Sequence, residues 1–363
     1  MTGNGPNGSG GTEEKKVDLV FEGGGVKGIA LVGAYSVLAE EGYVPQNVAG
    51  ASAGAIVASL VAAGYSAEEL HDVLKSTNFY SFEDKGWEDK ITLLGKPVSI
   101  IKDHGLYEGK VFHDWISDLL AKKKITKFGQ LKVEGESDPR WQYRLQVIVS
   151  DATHHSLLVL PRDAAVIGVA NPDDLDIADA VRMSMSIPVF FEPVKRKVGA
   201  EEVVLVDGGM LSNFPVWVFD SDGMPEWPTF GLKLVNPDPK EPEPGGVPDK
   251  PVKDNALKSL VDFLMSLVST MTDAHDKLYL ERDTFVRTIT ISNLGVKTTQ
   301  FDLTPEKADE LFASGQTAAR DFLKTWDFEA YKEAFRSGQE QPSRREAVTA
   351  RMKAAGGTKP AGG

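Results

Sequence analysis

From Val17 onward the chain alternates short apolar runs with longer stretches whose apolar positions recur every three or four residues. The runs "VDLVFE" (17–22), "VAGAS" (48–52), "YRLQVIVSD" (143–151), "VVLVDGG" (203–209) and "TFGLKLV" (229–235) have the length and β-branched content of strands buried on both faces. Helices are predicted to begin near Lys27 and Ala53, and further helices fit "SAEELHDVLKS" (66–76) and "KVFHDWISDLLAKK" (110–123). Strand and helix in alternation predict an α/β protein with an open, mostly parallel sheet. Residues 1–16 are glycine, asparagine and charge and read as a disordered tail. One domain is expected over 17–336, with an exposed Pro/Glu-rich loop at 236–252, a helical part at 253–336 and a flexible tail at 337–363. Within the helical part, Leu257, Leu260, Val261, Leu264, Leu267, Val268 and Met271 form a single stripe. It reads as a core-packed helix, with a lipid-contacting face as the sharper alternative.

Composition narrows the function classes. At 363 residues, 41% hydrophobic and 26% charged, the chain is long enough for a sizeable core and ordinary for a globular protein. A net charge of −13 argues against nucleic acid as a partner, because phosphate contacts need clustered Lys and Arg. The absence of cysteine removes disulfides, thiolate metal sites and a cysteine nucleophile. No apolar stretch resembles a signal peptide or approaches a bilayer span, so a cytoplasmic location is expected, with export as an effector left open.

The chemistry gathers around two glycine-containing turns. Gly23, Gly25 and Gly28 in "GGGVKG" satisfy G-x-G-x-x-G between a strand and a helix, the dinucleotide fingerprint. That fingerprint also wants an acidic residue at the end of the second strand, and "NVAGASAG" has none there; Glu40 and Glu41 come too early. A P-loop fails too, since Lys27 precedes Gly28. At the end of the second strand stands "GASAG", Gly50 to Gly54, which fits the G-x-S-x-G nucleophile elbow. Its outer positions must be tiny because strand and helix nearly touch, and the turn thrusts Ser52 out at a helix N-terminus. With a glycine loop one βα unit upstream, the pair is what acyl transfer requires: a nucleophile, and bare amides of Gly24, Gly25 and Val26 to hold an oxyanion.

A serine needs a base. Of the six histidines, His71 and His113 sit in amphipathic helical patterns, His104 in a turn and His275 at the end of the 257–271 stripe. His154 and His155, after the strand ending at Asp151, are the only histidines in a suitable position. Asp207 has the more specific setting: a β-branched run delivers it to a strand end, and Gly208 and Gly209 let the backbone turn at once. Burial could raise its pKa to the working range. Asp151 is the rival carboxylate.

Taken together, "GGGVKG", "GASAG", "RMSMSIPVFFEPV" and "DGG", in this order, resemble the patatin-like phospholipases over about Val17 to Leu234. The resemblance implies a three-layer α/β/α sandwich with a mostly parallel central sheet and additional C-terminal helices. It implies a Ser–Asp dyad without histidine, in which Ser52 is the nucleophile and Asp207 of the DGG motif the base. Gly23, Gly24, Gly25 and Val26 would then form the oxyanion hole, flanked by Glu22 and Lys27 where relatives often carry Asp and Arg. The segment around Ser184, Ser186 and Pro188 would support the wall of the site. No metal and no cofactor is expected. The expected substrates are phospholipid, lysophospholipid or another fatty-acyl ester, met at a transient membrane or micelle surface; the apolar residues Phe190 and Phe191 read as core, with lipid contact as the alternative. Acyl transfer by the same dyad, or a non-enzymatic anion- or lipid-binding module, are the alternatives. Head group, acyl-chain preference and oligomeric state are not legible.

Overall fold

The computed structural model describes residues 14–77, 105–107, 109–221, 223–237, 282–296, 300 and 303–337. The 257–271 stripe, His104, His275, most of the 236–252 loop and nearly all of both tails fall outside them.

An eight-stranded sheet forms the centre. Its first strands are β1 (Lys15–Phe21), β2 (Tyr43–Ala51) and, after the short β3 (Gly105–Tyr107), β4 (Leu145–Asp151). There follow β5 (Ser156–Leu160), β6 (Val189–Phe191), β7 (Val194–Val198), β8 (Glu201–Val206), β9 (Thr229–Val235) and β10 (Thr288–Ser292). The order is β10-β9-β1-β2-β4-β8-β7, with β5 also on β4, while β3 and β6 make a separate pair. From β10 to β4 every pairing is parallel; β5, β7 and β8 join antiparallel. The five strands read from the sequence are all present. Those it did not single out are mainly short strands or strands at the sheet's margins, where a weak pattern is expected.

Side chains alternate across the sheet as the pleat dictates. Val17, Leu19 and Phe21 of β1 join the larger core, while Val20 joins Ala49, Ala51, Ile148 and Val159 on the opposite face. Over the larger core lie α1 (Gly28–Glu40), α2 (Ala53–Ala62), α3 (Ala67–Ser76), α4 (Lys110–Lys122) and α5 (Ile177–Ser184). After the one-turn α6 (Gly209–Ser212) and α7 (Arg282–Val286), α8 (Pro305–Leu323) joins this layer against α1, followed by α9 (Phe328–Phe335). Among the described residues the opposite face is covered more thinly, by Phe214 and the 3-10 turn Val216–Phe219.

The register explains what the sheet positions. β5 lies along one edge of β4, pairing Val147 with Leu160 and Asp151 with Ser156. The other edge is shared. β2 occupies it as far as Ala51 opposite Ile148, and β8 occupies it from Asp151 to Ser150, opposite Leu205 and Val206. β2 and β8 therefore run toward each other along one edge and stop two β4 residues apart. Ser52 and Asp207 are the residues at which both chains must turn away.

Candidate active site

Ser52 lies in the turn between β2 and α2 with φ 50° and ψ −127°, a backbone state that costs a non-glycine residue about 1–3 kcal/mol and that surrounding structure must hold. The glycines on either side make that turn possible. A β-carbon on Gly50 would stand 2.3 Å from the Gly54 backbone, and one on Gly54 would stand 2.1 Å from the Phe21 carbonyl oxygen. Strand β2, helix α2 and strand β1 thus meet backbone to backbone.

The Ser52 hydroxyl donates to Asp207 Oδ2 at 2.7 Å, with the Met185 thioether a weaker acceptor at 3.5 Å. Both residues are buried, each 5% exposed. Asp207 Oδ1 accepts from the Gly209 N–H at 2.8 Å, and the Asp207 N–H donates to Ser186 O. Burial pushes the Asp207 carboxyl up to about 7; the bonds from Ser52 and Gly209 pull the other way and do not offset it.

The end of α5 and the residues that follow it bind both halves of this pair. Ser184 Oγ accepts the Ser52 N–H at 2.9 Å and donates to Ile148 O at 2.7 Å, while Ser184 O accepts from Gly208 N–H. Arg182, itself buried, donates to Ser186 Oγ at 2.6 Å and to Glu192 O at 2.9 Å and lies over the Phe191 ring. Phe191 is thereby core, as the sequence suggested; Phe190 packs against it half-buried. The sequence marked this segment as a wall. That one hydroxyl in it fastens the amide of Ser52 was not legible, since residues 52 and 184 are far apart along the chain and only the register of β4 joins them.

The glycine loop packs directly on Ser52. A β-carbon on Gly23 would lie 3.1 Å from Ser52 Cβ and 2.1 Å from Asn213 Oδ1. Asn213 also ties the loop to the DGG segment, accepting the Gly23 N–H on its carbonyl and donating Nδ2 to Gly23 O. The Gly23 amide is therefore committed, and this glycine contributes close approach rather than a free donor. Lys27 N–H bonds Gly24 O, whereas among the described residues no acceptor takes the N–H of Gly24, Gly25 or Val26. Glu22 is drawn to β9, ion-paired with Lys233 and accepting the Leu234 N–H.

Two of the rival bases, Asp151 and His154, engage each other. His154 pairs through Nδ1 with Asp151 Oδ2 at 2.6 Å and lies 3.3 Å from Glu201; both carboxylates raise its pKa. His71 pairs with Asp309 and His113 with Asp179. Among the described residues no histidine bonds Ser52, and no cluster of His, Asp and Glu is suited to hold a metal ion.

A sequence profile of the patatin-like phospholipases matches residues 19–220, more than half the chain. The chain belongs to the patatin-like phospholipase family. It is 38% identical over 312 residues to YqhO of Bacillus subtilis (strain 168), covering 86% of this chain and 99% of that one. It is 28% identical over 211 residues to the NTE family protein MT2641 of Mycobacterium tuberculosis (strain CDC 1551 / Oshkosh), covering 58% and 29% respectively. Among solved structures, VipD from Legionella pneumophila aligns with a TM-score of 0.44 and 19% identity, over 95% of this chain and 75% of that one. No helix among the described residues is long and apolar enough to cross a membrane.

Proposed function

We propose that the protein is a lipid acyl hydrolase of the phospholipase A or lysophospholipase type, acting through Ser52 and Asp207. The observation that carries this reading is the 2.7 Å bond from the Ser52 hydroxyl to a buried carboxylate whose pKa is raised to about 7. A carboxylate in that range holds a proton well enough to be a useful base and still loses it near neutral pH. Asp207 takes the Ser52 proton as Oγ attacks the ester carbonyl. The oxyanion that forms is held by the amides of Gly24, Gly25 and Val26, and the alcohol or lysolipid leaves with the proton. Water, deprotonated by Asp207, then cleaves the acyl-serine ester and releases the fatty acid. Family membership supports lipid esters as substrates.

Hydrolysis of p-nitrophenyl acyl esters by wild type, Ser52→Ala and Asp207→Asn, with folding followed by circular dichroism, tests the reading. Both variants are expected to fold and to lose at least about 1,000-fold in kcat. Full activity in a folded Ser52→Ala protein overturns the assignment. Activity retained in Asp207→Asn moves the base to Asp151 or the His154–His155 pair.

A further inference from the structure

β10 stands at one end of the sheet, and its register shows which backbone groups are spare. Gly231 N–H bonds Arg287 O and Asn293 N–H bonds Val235 O, so β9 takes the odd-numbered residues and the backbone of Thr288, Thr290 and Ser292 faces outward. Ser314 Oγ donates to Ser292 O. Among the described residues nothing bonds the N–H or carbonyl of Thr290, which is exposed. An uncovered edge of this kind is a template for a further strand.

Beside that edge lies a groove of about 620 Å³, bounded by β10 and the helices α7, α8 and α9. Phe285, Phe322, Trp326, Tyr331 and Phe335 give it aromatic walls. Phe285 and Val286, adjacent in the lining, are 61% and 39% exposed, so apolar surface here is contiguous rather than scattered. The charged residues in the lining are Asp321 and Asp327; among the described residues no lysine or arginine joins them there. Asp321 pairs with Lys324 and Asp327 caps α9 at the Ala330 N–H, each through one oxygen. The second oxygen of each has no partner among the described residues.

We infer that the groove receives the chain's own C-terminal segment, residues 338–363, with 347–352 added to β10 as a strand. The described chain stops at Ser337, two residues past Phe335 of the groove wall, so the tether is already in place. Ten residues separate Ser337 from Ala347, and extended they span up to about 33 Å. Charge favours the same occupant. The segment carries five basic residues, Arg344, Arg345, Arg351, Lys353 and Lys359, against Glu340 and Glu346, in a chain of net charge −13. Its stretch "AVTARM" alternates as a strand requires: Val348, Ala350 and Met352 fall on one side, facing the apolar groove, and Thr349 and Arg351 on the other. Main-chain bonds to Thr290 then give affinity, and the groove selects the alternate side chains. The docked segment also covers an edge that would otherwise pair with other chains.

Hydrogen exchange on the full-length protein, read by mass spectrometry over 286–292 and 347–352, tests this. In wild type, exchange at 347–352 is expected to be at least about tenfold slower than in a free peptide of the same sequence. Val348→Asp sets a third carboxylate beside Asp321 and Asp327; it should restore the free-peptide rate and speed exchange at Thr290. Asp321→Lys, with folding checked by melting curves, should weaken protection in the same two places, and Val348→Asp carries the test if that variant fails to fold. Free-peptide exchange at 347–352 in wild type overturns the proposal. Protection unchanged by the substitutions means that the segment is held elsewhere and overturns it too. Protection confined to 286–292 that grows with protein concentration, alongside a dimer in sedimentation, gives the edge to a second copy and likewise overturns it.

Discussion

Ser184 shows how much rests on single residues here. Its hydroxyl is the acceptor for the Ser52 N–H and the donor to Ile148 O, so it holds the strained turn against the strand on which Asp207 also converges. Ser184→Ala would leave the buried Ser52 N–H without its partner, at about 1–3 kcal/mol, and take one donor from Ile148 O. A loss of about 2 kcal/mol in stability is expected, with kcat down about tenfold or more and KM little changed, read by denaturant melts and steady-state kinetics. A residue that merely fills space would lower stability and leave kcat alone. The same scale sets the pH dependence of the reaction. In the proposed mechanism Asp207 must be ionised to accept the Ser52 proton, and burial raises its pKa to about 7. In the free enzyme kcat/KM should therefore rise with pH and level off above a midpoint near that value. A profile flat from pH 5 to 9 would mean that another group is the base.

At the scale of elements, the site is a consequence of where strands stop. β2 ends because Gly50 and Gly54 allow an immediate turn into α2, and β8 ends because Gly208 and Gly209 do the same after Asp207. A helix crossing away from the site shows the same economy. A β-carbon on Gly315 of α8 would lie 1.9 Å from Ala30 O of α1, and one on Gly33 would lie 2.0 Å from Phe312 O of α8. These reciprocal glycines let the two helices touch along their backbones. Gly315→Ala is expected to force them apart and cost about 1–3 kcal/mol, as overpacking commonly does. Calorimetry would read the loss, while the pH midpoint of catalysis, set at the far side of α1, should not move. Unchanged stability would mean that α8 packs more loosely than the structure implies.

The whole molecule couples stability to pH with a definite sign. Asp207 and Asp18 have folded pKa values near 7 and near 6, both raised above 3.8 chiefly by burial. A carboxyl with a raised folded pKa favours the fold while protonated in both states. Its contribution is complete below about pH 4 and is lost as pH rises to the folded value. For Asp207 that span corresponds to roughly 4 kcal/mol. His154, raised by Asp151 and Glu201, stabilises below its unfolded pKa and likewise loses its contribution as pH rises. Surface carboxylates such as Asp138 and Asp173, held low by hydrogen bonds to neighbouring side chains, act only in more acidic solution, where protonation removes their contribution. A net charge of −13 at pH 7 adds self-repulsion on the alkaline side. Melting temperature should therefore peak at about pH 4–5 and decline toward pH 8. Asp207→Asn should flatten the decline and leave an inactive protein more stable than wild type at pH 8, whereas a parallel decline in both proteins would show that Asp207 is not the buried acid described here.

The sequence by itself determined the local pieces. Alternating apolar runs and amphipathic stretches specify strands and helices through their periods, and "GASAG" and "DGG" specify sharp turns because only tiny residues permit them. These signals are local, so a single chain displays them. Ser52 and Asp207 could be singled out on that basis, as could the glycine loop. What tertiary structure decided is which of these pieces meet. That β2 and β8 share one edge of β4, that Ser184 fastens the Ser52 amide, that Asn213 takes up the Gly23 amide, and that Asp151 is turned toward His154 all depend on pairing between segments far apart in sequence. The pKa of Asp207 belongs to this second class as well: burial by the assembled fold, and no property of the residue's neighbours in the chain, raises it to about 7.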